Sequence, residues 1–110
     1  MTDYLKIVKE IILKRVPLRD YSVFLFGSRA RATNHDKSDI DVGVWGNAPL
    51  SKFLKSDLQD ELDESIVPYK IDVIDFYKAS DEFKAQALQK IEIWSLSKDS
   101  KLNSEASPKL

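Results

Sequence analysis

The sequence lacks cysteine altogether and has little of several other residue types. Its 110 residues contain no cysteine and a single histidine, His35. Without cysteine the chain can form neither a disulfide scaffold nor a thiolate metal site, which fits a reducing compartment. A lone histidine in a polar loop has no second imidazole at the spacing of a zinc site. We therefore expect a cytoplasmic protein without zinc.

Long apolar runs and a surplus of one charge are also missing. No apolar run approaches the roughly 20 residues that cross a bilayer, and the N-terminal residues MTDYLKIVKE lack the pattern of a signal peptide. The net charge at pH 7 is −1, whereas proteins that hold nucleic acid through its backbone carry a basic surplus. We expect neither a membrane nor a long polynucleotide as partner. A small nucleotide remains possible as a ligand.

The composition that remains, 43% hydrophobic and 32% charged residues, is typical of one globular domain. The hydrophobic periodicity predicts the order helix–strand–strand–helix–strand–helix, and so an α/β fold with a small mixed β-sheet flanked by helices. The predicted helices span residues 4–16, 50–66 and 81–96, the predicted strands span 21–26, 39–45 and 69–76, and the resulting domain over 1–96 precedes a polar, disordered tail over 97–110.

The most informative stretch is FLFGSRARATNHDKSDIDVGV, in which Gly27-Ser28 ends one apolar run and Asp39-Ile40-Asp41 opens the next. Residues i and i+2 of a strand share a face and lie roughly 6.6 Å apart, so the carboxylates of Asp39 and Asp41 can point into one cavity. Two such charges repel each other unless a cation lies between them. Two Mg²⁺ ions would remove this conflict and supply the usual machinery of phosphoryl or nucleotidyl displacement.

Further residues complete this predicted site. Asp72, in the third predicted strand, is the candidate for a third carboxylate. Gly27 is one of only three glycines, and at a strand end it can adopt φ > 0 or let a ligand approach the backbone. Ser28 could turn its hydroxyl and N–H toward phosphate oxygens, and Arg29 and Arg31 lie where they could touch phosphate as well.

Each of these residues also has a structural interpretation when taken alone. Asp39 could cap a turn, and Asp72 could be an exposed strand residue paired with a lysine. Arg29 could face solvent, and Asp75 is more typical of a strand end. The joint pattern of strand acids and a Gly-Ser turn favours the functional interpretation. The sequence does not decide the role of four aromatic residues. They could stack on an adenine base or belong to the core or its rim: Trp45, Tyr69, Tyr77 and Trp94.

The segments GSRARAT and SDIDVGV, at this spacing, resemble the signature of the DNA polymerase β-like nucleotidyltransferase superfamily. Within it they are most similar to the minimal nucleotidyltransferase (MNT) domain proteins, over roughly residues 4–95. Members often have glycine where this chain has Ala32. The resemblance implies the polymerase β-like nucleotidyltransferase core as the fold.

The same resemblance implies roles for particular residues. Gly27 and Ser28 match the residues that contact the nucleoside triphosphate. Asp39 and Asp41 match the pair that binds divalent metal, and Asp72 matches a third acid on a later strand.

The resemblance also implies a function. MNT proteins typically pair with a HEPN-domain protein, an RNase-type toxin, and act as the antitoxin by transferring AMP from ATP to a tyrosine of the toxin. We therefore expect a Mg²⁺-dependent protein adenylyltransferase in a hetero-oligomer, since the chain ends before an acceptor domain of the larger relatives could form. Two alternatives stay open: a binding module that neutralises its partner by occlusion, and nucleotidyl transfer to a small molecule such as an aminoglycoside.

Overall fold

The computed structural model describes residues 3–30, 39–100 and 102. Within these residues the chain forms three helices and four strands. The strands make one sheet in the order β3-β2-β1-β4. In chain order the elements are α1 (Tyr4–Arg15), β1 (Tyr21–Phe26), β2 (Ile40–Gly46), α2 (Lys52–Asp63), β3 (Ile71–Asp75), α3 (Asp81–Ala87) and β4 (Glu92–Ser95).

The sheet is mixed, as the sequence predicts. Strand β1 pairs antiparallel with both β2 and β4, whereas β2 pairs parallel with β3. Parallel neighbours need a crossover connection, and α2 provides it between β2 and β3. The predicted α/β class with a small sheet flanked by helices is therefore confirmed.

Side chains that accept hydrogen bonds fix where the helices begin. Asp3, Ser51 and Ser80 each accept a hydrogen bond from the backbone N–H three residues later, at 3.1, 3.4 and 3.1 Å. Such N-caps satisfy donors that have no partner within the helix. No helix in the described part of the chain is long and apolar enough to span a membrane.

One face of the sheet is covered by α1 and α2. Their apolar residues recur with helical spacing, while strand residues of period two face them. This arrangement makes the larger core of the protein. Its buried members include Val8, Ile12, Val23, Leu25, Ile40, Val42, Val44, Leu58, Leu62 and Val73.

The opposite face carries a smaller, aromatic cluster. Phe24 and Phe76 meet edge to face with ring centroids 4.8 Å apart. Phe83 of α3 packs on Phe76 at 5.6 Å. A Cβ atom at Gly43 would overlap both the Phe24 and the Phe76 ring, so only glycine lets these aromatic side chains cross the strand.

The third predicted helix, over residues 81–96, is wrong in its second half. Helix α3 ends at Ala87, and Glu92–Ser95 forms the edge strand β4 against β1. The apolar spacing of Ile91 and Trp94 fits a helix turn, but pairing with β1 gives this segment its backbone partners instead. Helix α2 also ends before its predicted limit, and Ile66 is 73% exposed rather than part of the apolar stripe.

Residues after β4 contact the sheet where the structure describes them. The N–H of Ser97 donates to the buried Ser22 Oγ at 2.9 Å, and Ser22 donates to Ser100 Oγ at 2.9 Å. The Leu102 side chain is buried in the aromatic cluster. The division into a domain over 1–96 and a disordered tail stays a prediction, since residues 101 and 103–110 lie outside the described residues.

Candidate active site

The turn after β1 brings a backbone bend against a carboxylate. Gly27 has φ of +77°, a conformation that other residues adopt only with strain. A Cβ atom at this position would lie 2.5 Å from Oδ2 of Asp41. The Asp41 carboxylate therefore lies directly against the turn, and only glycine leaves room for it.

Two of the three predicted carboxylates lie side by side. Asp41 of β2 is in register with Asp72 of β3 and with Phe26 of β1. Residues in register on neighbouring strands point to the same face and stand about 4.8 Å apart. Because Phe26 belongs to the aromatic cluster, both acids project from that face of the sheet. Each is half-buried.

A lysine stands beside this pair. Lys70 Nζ lies 4.0 Å from Oδ2 of Asp72, with side chains 70% and 37% exposed. The structure thus contains the lysine pairing that the alternative interpretation of Asp72 requires. A single pair this exposed contributes little to stability, so it does not by itself explain an acid next to Asp41.

Asp39 lies just outside the sheet. It is exposed and immediately precedes β2, whose ladder begins where the Ile40 N–H donates to the Lys70 carbonyl at 2.8 Å. Among residues 3–30, 39–100 and 102, no group of three histidine, cysteine or acidic side chains is arranged to hold a metal ion. Carboxylate oxygens are nevertheless the donors that Mg²⁺ prefers, and Asp41 and Asp72 supply two of them.

The residues after Gly27 continue the turn. Ser28 and Arg29 are half-buried there. The Arg29 guanidinium lies over the ring of Tyr69, with Cζ 4.6 Å from the ring centroid. Of the other predicted phosphate or loop residues, Arg31 and His35 lie outside the described residues.

Asp75 takes the strand-end role that the sequence favours. Its carboxylate is buried and accepts hydrogen bonds from the N–H groups of Leu50 and Tyr77, at 2.9 and 3.1 Å. These contacts fasten the segment before α2 to the end of β3. Asp75 lies three residues after Asp72 in the same strand. Because side chains alternate between the two faces, Asp75 points to the opposite face of the sheet from Asp72.

The aromatic residues divide into different roles. Trp45 packs against Phe76 and lies under the Lys84 ammonium group, 5.0 Å from its ring centroid. Trp94 packs on the larger core, and Tyr77 is 49% exposed. Tyr69 contacts the predicted site residue Arg29, and no spacing rule signals this contact because it joins distant parts of the sequence.

A small cleft opens beside the turn. It has a volume of about 180 Å³ and is lined by Phe26, Gly27, Phe83, Gln86 and Ala87. A larger cleft of about 450 Å³ is lined by Arg19, Tyr21, Lys98 and neighbouring residues. The larger one borders Tyr21, at the other end of β1 from Gly27, and includes none of the predicted site residues.

A family profile and a relative of known sequence both match this chain. The profile of the polymerase beta nucleotidyltransferase family matches residues 8–99. "Probable protein adenylyltransferase MntA" of Haemophilus influenzae is 32% identical over 83 residues, which cover 76% of this chain and 71% of that protein.

Solved structures share the fold at lower sequence identity. A crystal structure of a toxin–antitoxin with AMP-PNP matches with a TM-score of 0.69 and 24% identity, covering 92% of this chain and 80% of the other. A structure of tri-AMPylated Shewanella oneidensis HEPN toxin in complex with MNT antitoxin matches with a TM-score of 0.58 and 20% identity, covering 81% and 70%.

Proposed function

The chain belongs to the polymerase beta nucleotidyltransferase family, and on that premise we propose that it transfers AMP from ATP to a tyrosine of a HEPN-type RNase toxin. The relative from Haemophilus influenzae bears the name of a protein adenylyltransferase. One protein of the same fold is an MNT antitoxin in complex with an AMPylated HEPN toxin. The modification would make this chain the antitoxin of a cytoplasmic hetero-oligomer.

The observation that carries this proposal is the position of Asp41. Its carboxylate lies against the Gly27 turn and in register with Asp72. A site for nucleotidyl transfer needs phosphate-binding N–H groups and metal-binding carboxylates within the length of a triphosphate. Here the Asp41 side chain lies next to both the Gly27 turn and the Asp72 carboxylate.

Divalent metal is part of the proposal. Asp39, Asp41 and Asp72 would hold Mg²⁺, with two ions expected, and the chemistry of these oxygen donors fits that metal. When bound, Mg²⁺ supplies positive charge for the triphosphate and lowers the pKa of the attacking hydroxyl. Asp39 is exposed, so its side chain has room to turn toward the other two.

The other proposed roles fall to residues of the chain itself. The N–H groups of Gly27 and Ser28 would hold the triphosphate, and Arg29 would add a positive charge there. Asp72 would orient the acceptor tyrosine and accept its phenol proton. The phenol oxygen forms a bond to the α-phosphorus, the bond from the α-phosphorus to its bridging oxygen breaks, and pyrophosphate leaves with that electron pair.

A transfer assay with ATP labelled at different phosphates tests the proposal. The chain is incubated with the protein encoded by the neighbouring gene, Mg²⁺ and ATP labelled at the α-phosphate. We expect the partner protein to become labelled, and no label to appear from γ-labelled ATP, because pyrophosphate carries that phosphate away. The Asp39→Ala/Asp41→Ala variant should lose the labelling.

Asp57→Ala is the matched control, since Asp57 is an exposed acid on α2, which packs on the other face. It should label the partner as the wild type does. Equal labelling by the wild type and the double alanine variant would contradict the proposal. Label from the γ-phosphate would identify a kinase instead.

A further inference from the structure

Tyr69 connects three parts of the fold at the edge of the proposed nucleotide site. It lies in the segment between α2 and β3, and its half-buried ring packs on the larger core. Tyr4, the first residue of α1, meets this ring edge to face, with centroids 5.7 Å apart and planes at 82°. The ring is thus held by the core and by α1 independently of any ligand.

The face of this ring carries the Arg29 guanidinium, with Cζ 4.6 Å from the centroid. A cation at this distance is attracted by the negative charge over the ring. A guanidinium over an aromatic ring can keep N–H donors directed away from the ring, so this contact is compatible with hydrogen bonding to phosphate. The contact therefore leaves Arg29 chemically able to serve the triphosphate.

The backbone next to Arg29 needs such an anchor. Gly27 has φ of +77°, and glycine loses more conformational freedom on ordering than any other residue. A turn that is ordered only when the nucleotide binds weakens binding by the cost of that ordering. A side chain fastened to the core two residues later reduces this cost beforehand.

We infer that Tyr69 is a positioning residue for ATP: its ring holds the Arg29 side chain and thereby fixes the Gly27–Ser28 turn before the nucleotide arrives. The inference rests on the proposed function, because it takes this turn to be the triphosphate site. Tyr69 acts through Arg29 and does not itself touch the nucleotide.

Calorimetric titration with ATP and Mg²⁺ tests this role in the full chain. Tyr69→Leu removes the aromatic face but keeps an apolar side chain, and should raise the Kd for ATP about fivefold. Tyr69→Phe keeps the face and should stay within about twofold of the wild type. Tyr77→Leu is the matched control, because Tyr77 is exposed and lies in no described ring contact with Arg29.

A double-mutant cycle separates positioning from general loss of structure. In an Arg29→Met background, Tyr69→Leu should change the Kd for ATP by less than about twofold, because the side chain that it positions is already gone. Thermal unfolding of each variant establishes that the titrations measure folded protein. In the AMP-transfer assay, Tyr69→Leu should raise KM for ATP and leave kcat nearly unchanged, as loss of uniform binding does.

The outcomes are distinguishable. Equal ATP affinity of the wild type and Tyr69→Leu would overturn this inference and leave the proposed function standing. Additive effects of Tyr69→Leu and Arg29→Met, or a Tyr69→Phe variant as weak as Tyr69→Leu, would also overturn it. If the wild type bound no ATP, the proposed function would fail, and this inference with it.

Discussion

At the scale of single residues, the Asp41 carboxylate is confined on two sides. The turn at Gly27 limits it on one side, and Asp72 stands in register with it on the other. The two-residue period of a strand was enough to predict that Asp41 faces away from Ile40 and Val42. Sequence spacing could not predict the contact of Arg29 with Tyr69, because a contact between distant segments depends on the packing of the whole fold. The roles of the site residues stay predictions.

Gly27→Ala should damage both stability and catalysis. Alanine at positive φ costs about 1–3 kcal/mol, and its Cβ atom would overlap Oδ2 of Asp41. We expect a lower free energy of unfolding in urea and a loss of at least about tenfold in AMP transfer, since 1.36 kcal/mol in the barrier already gives tenfold. Leu58→Ala is the control for a loss of stability by itself. It opens a cavity in the core on the other face of the sheet and lowers the free energy of unfolding by about 2–5 kcal/mol. Retained transfer by folded Gly27→Ala would contradict the account.

The Tyr21 phenol should make the free energy of unfolding depend on pH in the alkaline range. Burial, together with the charges of Asp75 and Asp20, raises the pKa of its phenol above the ordinary value. The folded state therefore holds this proton more tightly than the unfolded state, whose tyrosine ionises near about pH 10. The contribution is complete below about pH 10 and is lost as the pH rises from there through the folded-state pKa.

Urea unfolding from about pH 8 to 11 checks this sign. Wild type should lose free energy of unfolding above about pH 10, whereas Tyr21→Phe, which has no phenol to ionise, should lose less. The stability of the wild type relative to that of Tyr21→Phe should therefore fall as the pH rises above about 10. Parallel curves over the whole range would show that the Tyr21 phenol ionises alike in the folded and unfolded states.

At the scale of elements, the strongly patterned segments were predictable and the edge of the sheet was not. Strand β1 has the predicted bounds Tyr21–Phe26, and α1 begins at Tyr4 and ends before Pro17. β4 was missed because Ile91 and Trp94 fall at helical spacing. A short edge strand depends on its neighbour for backbone partners, and local sequence does not report which neighbour is available.

Ser22→Ala should loosen the segment that follows β4. Ser22 is buried, and its Oγ accepts a hydrogen bond from the Ser97 N–H at 2.9 Å. Removing the hydroxyl leaves that donor without this acceptor, which costs about 1–3 kcal/mol. Hydrogen–deuterium exchange should become faster at Ser97, whereas Ser56→Ala, at an exposed position on α2, should leave it unchanged. Unchanged protection at Ser97 in Ser22→Ala would show that this hydrogen bond does not hold the segment.

At the scale of the whole molecule, the two faces of the sheet differ in what covers them. The helices α1 and α2 pack on the larger core, whereas Asp41 and Asp72 project from the face that carries the aromatic cluster and the short helix α3. Both acids stay half-exposed there. Among the described residues, no helix or strand would have to unfold for a protein substrate to reach these acids, which is what transfer to a tyrosine of a partner requires.

Catalysis and occlusion, as two means of neutralising the partner, make different demands on the chain and the nucleotide. Under occlusion, the partner's RNase activity would be blocked by binding alone, with no need for the acids or for a cleavable triphosphate. Under AMP transfer, the inhibition needs the bond between the α- and β-phosphates of ATP to break. The inhibition then persists after the antitoxin is removed, since the AMP stays covalently attached.

The most direct test of the account compares ATP with α,β-methylene-ATP, in which that bond cannot be broken by transfer. The HEPN-type partner is incubated with this chain, Mg²⁺ and either nucleotide, freed of the chain, and assayed for RNase activity. The account predicts that the partner stays inactive after ATP and recovers full activity after the analogue. Equal recovery after both nucleotides would contradict AMP transfer as the basis of neutralisation.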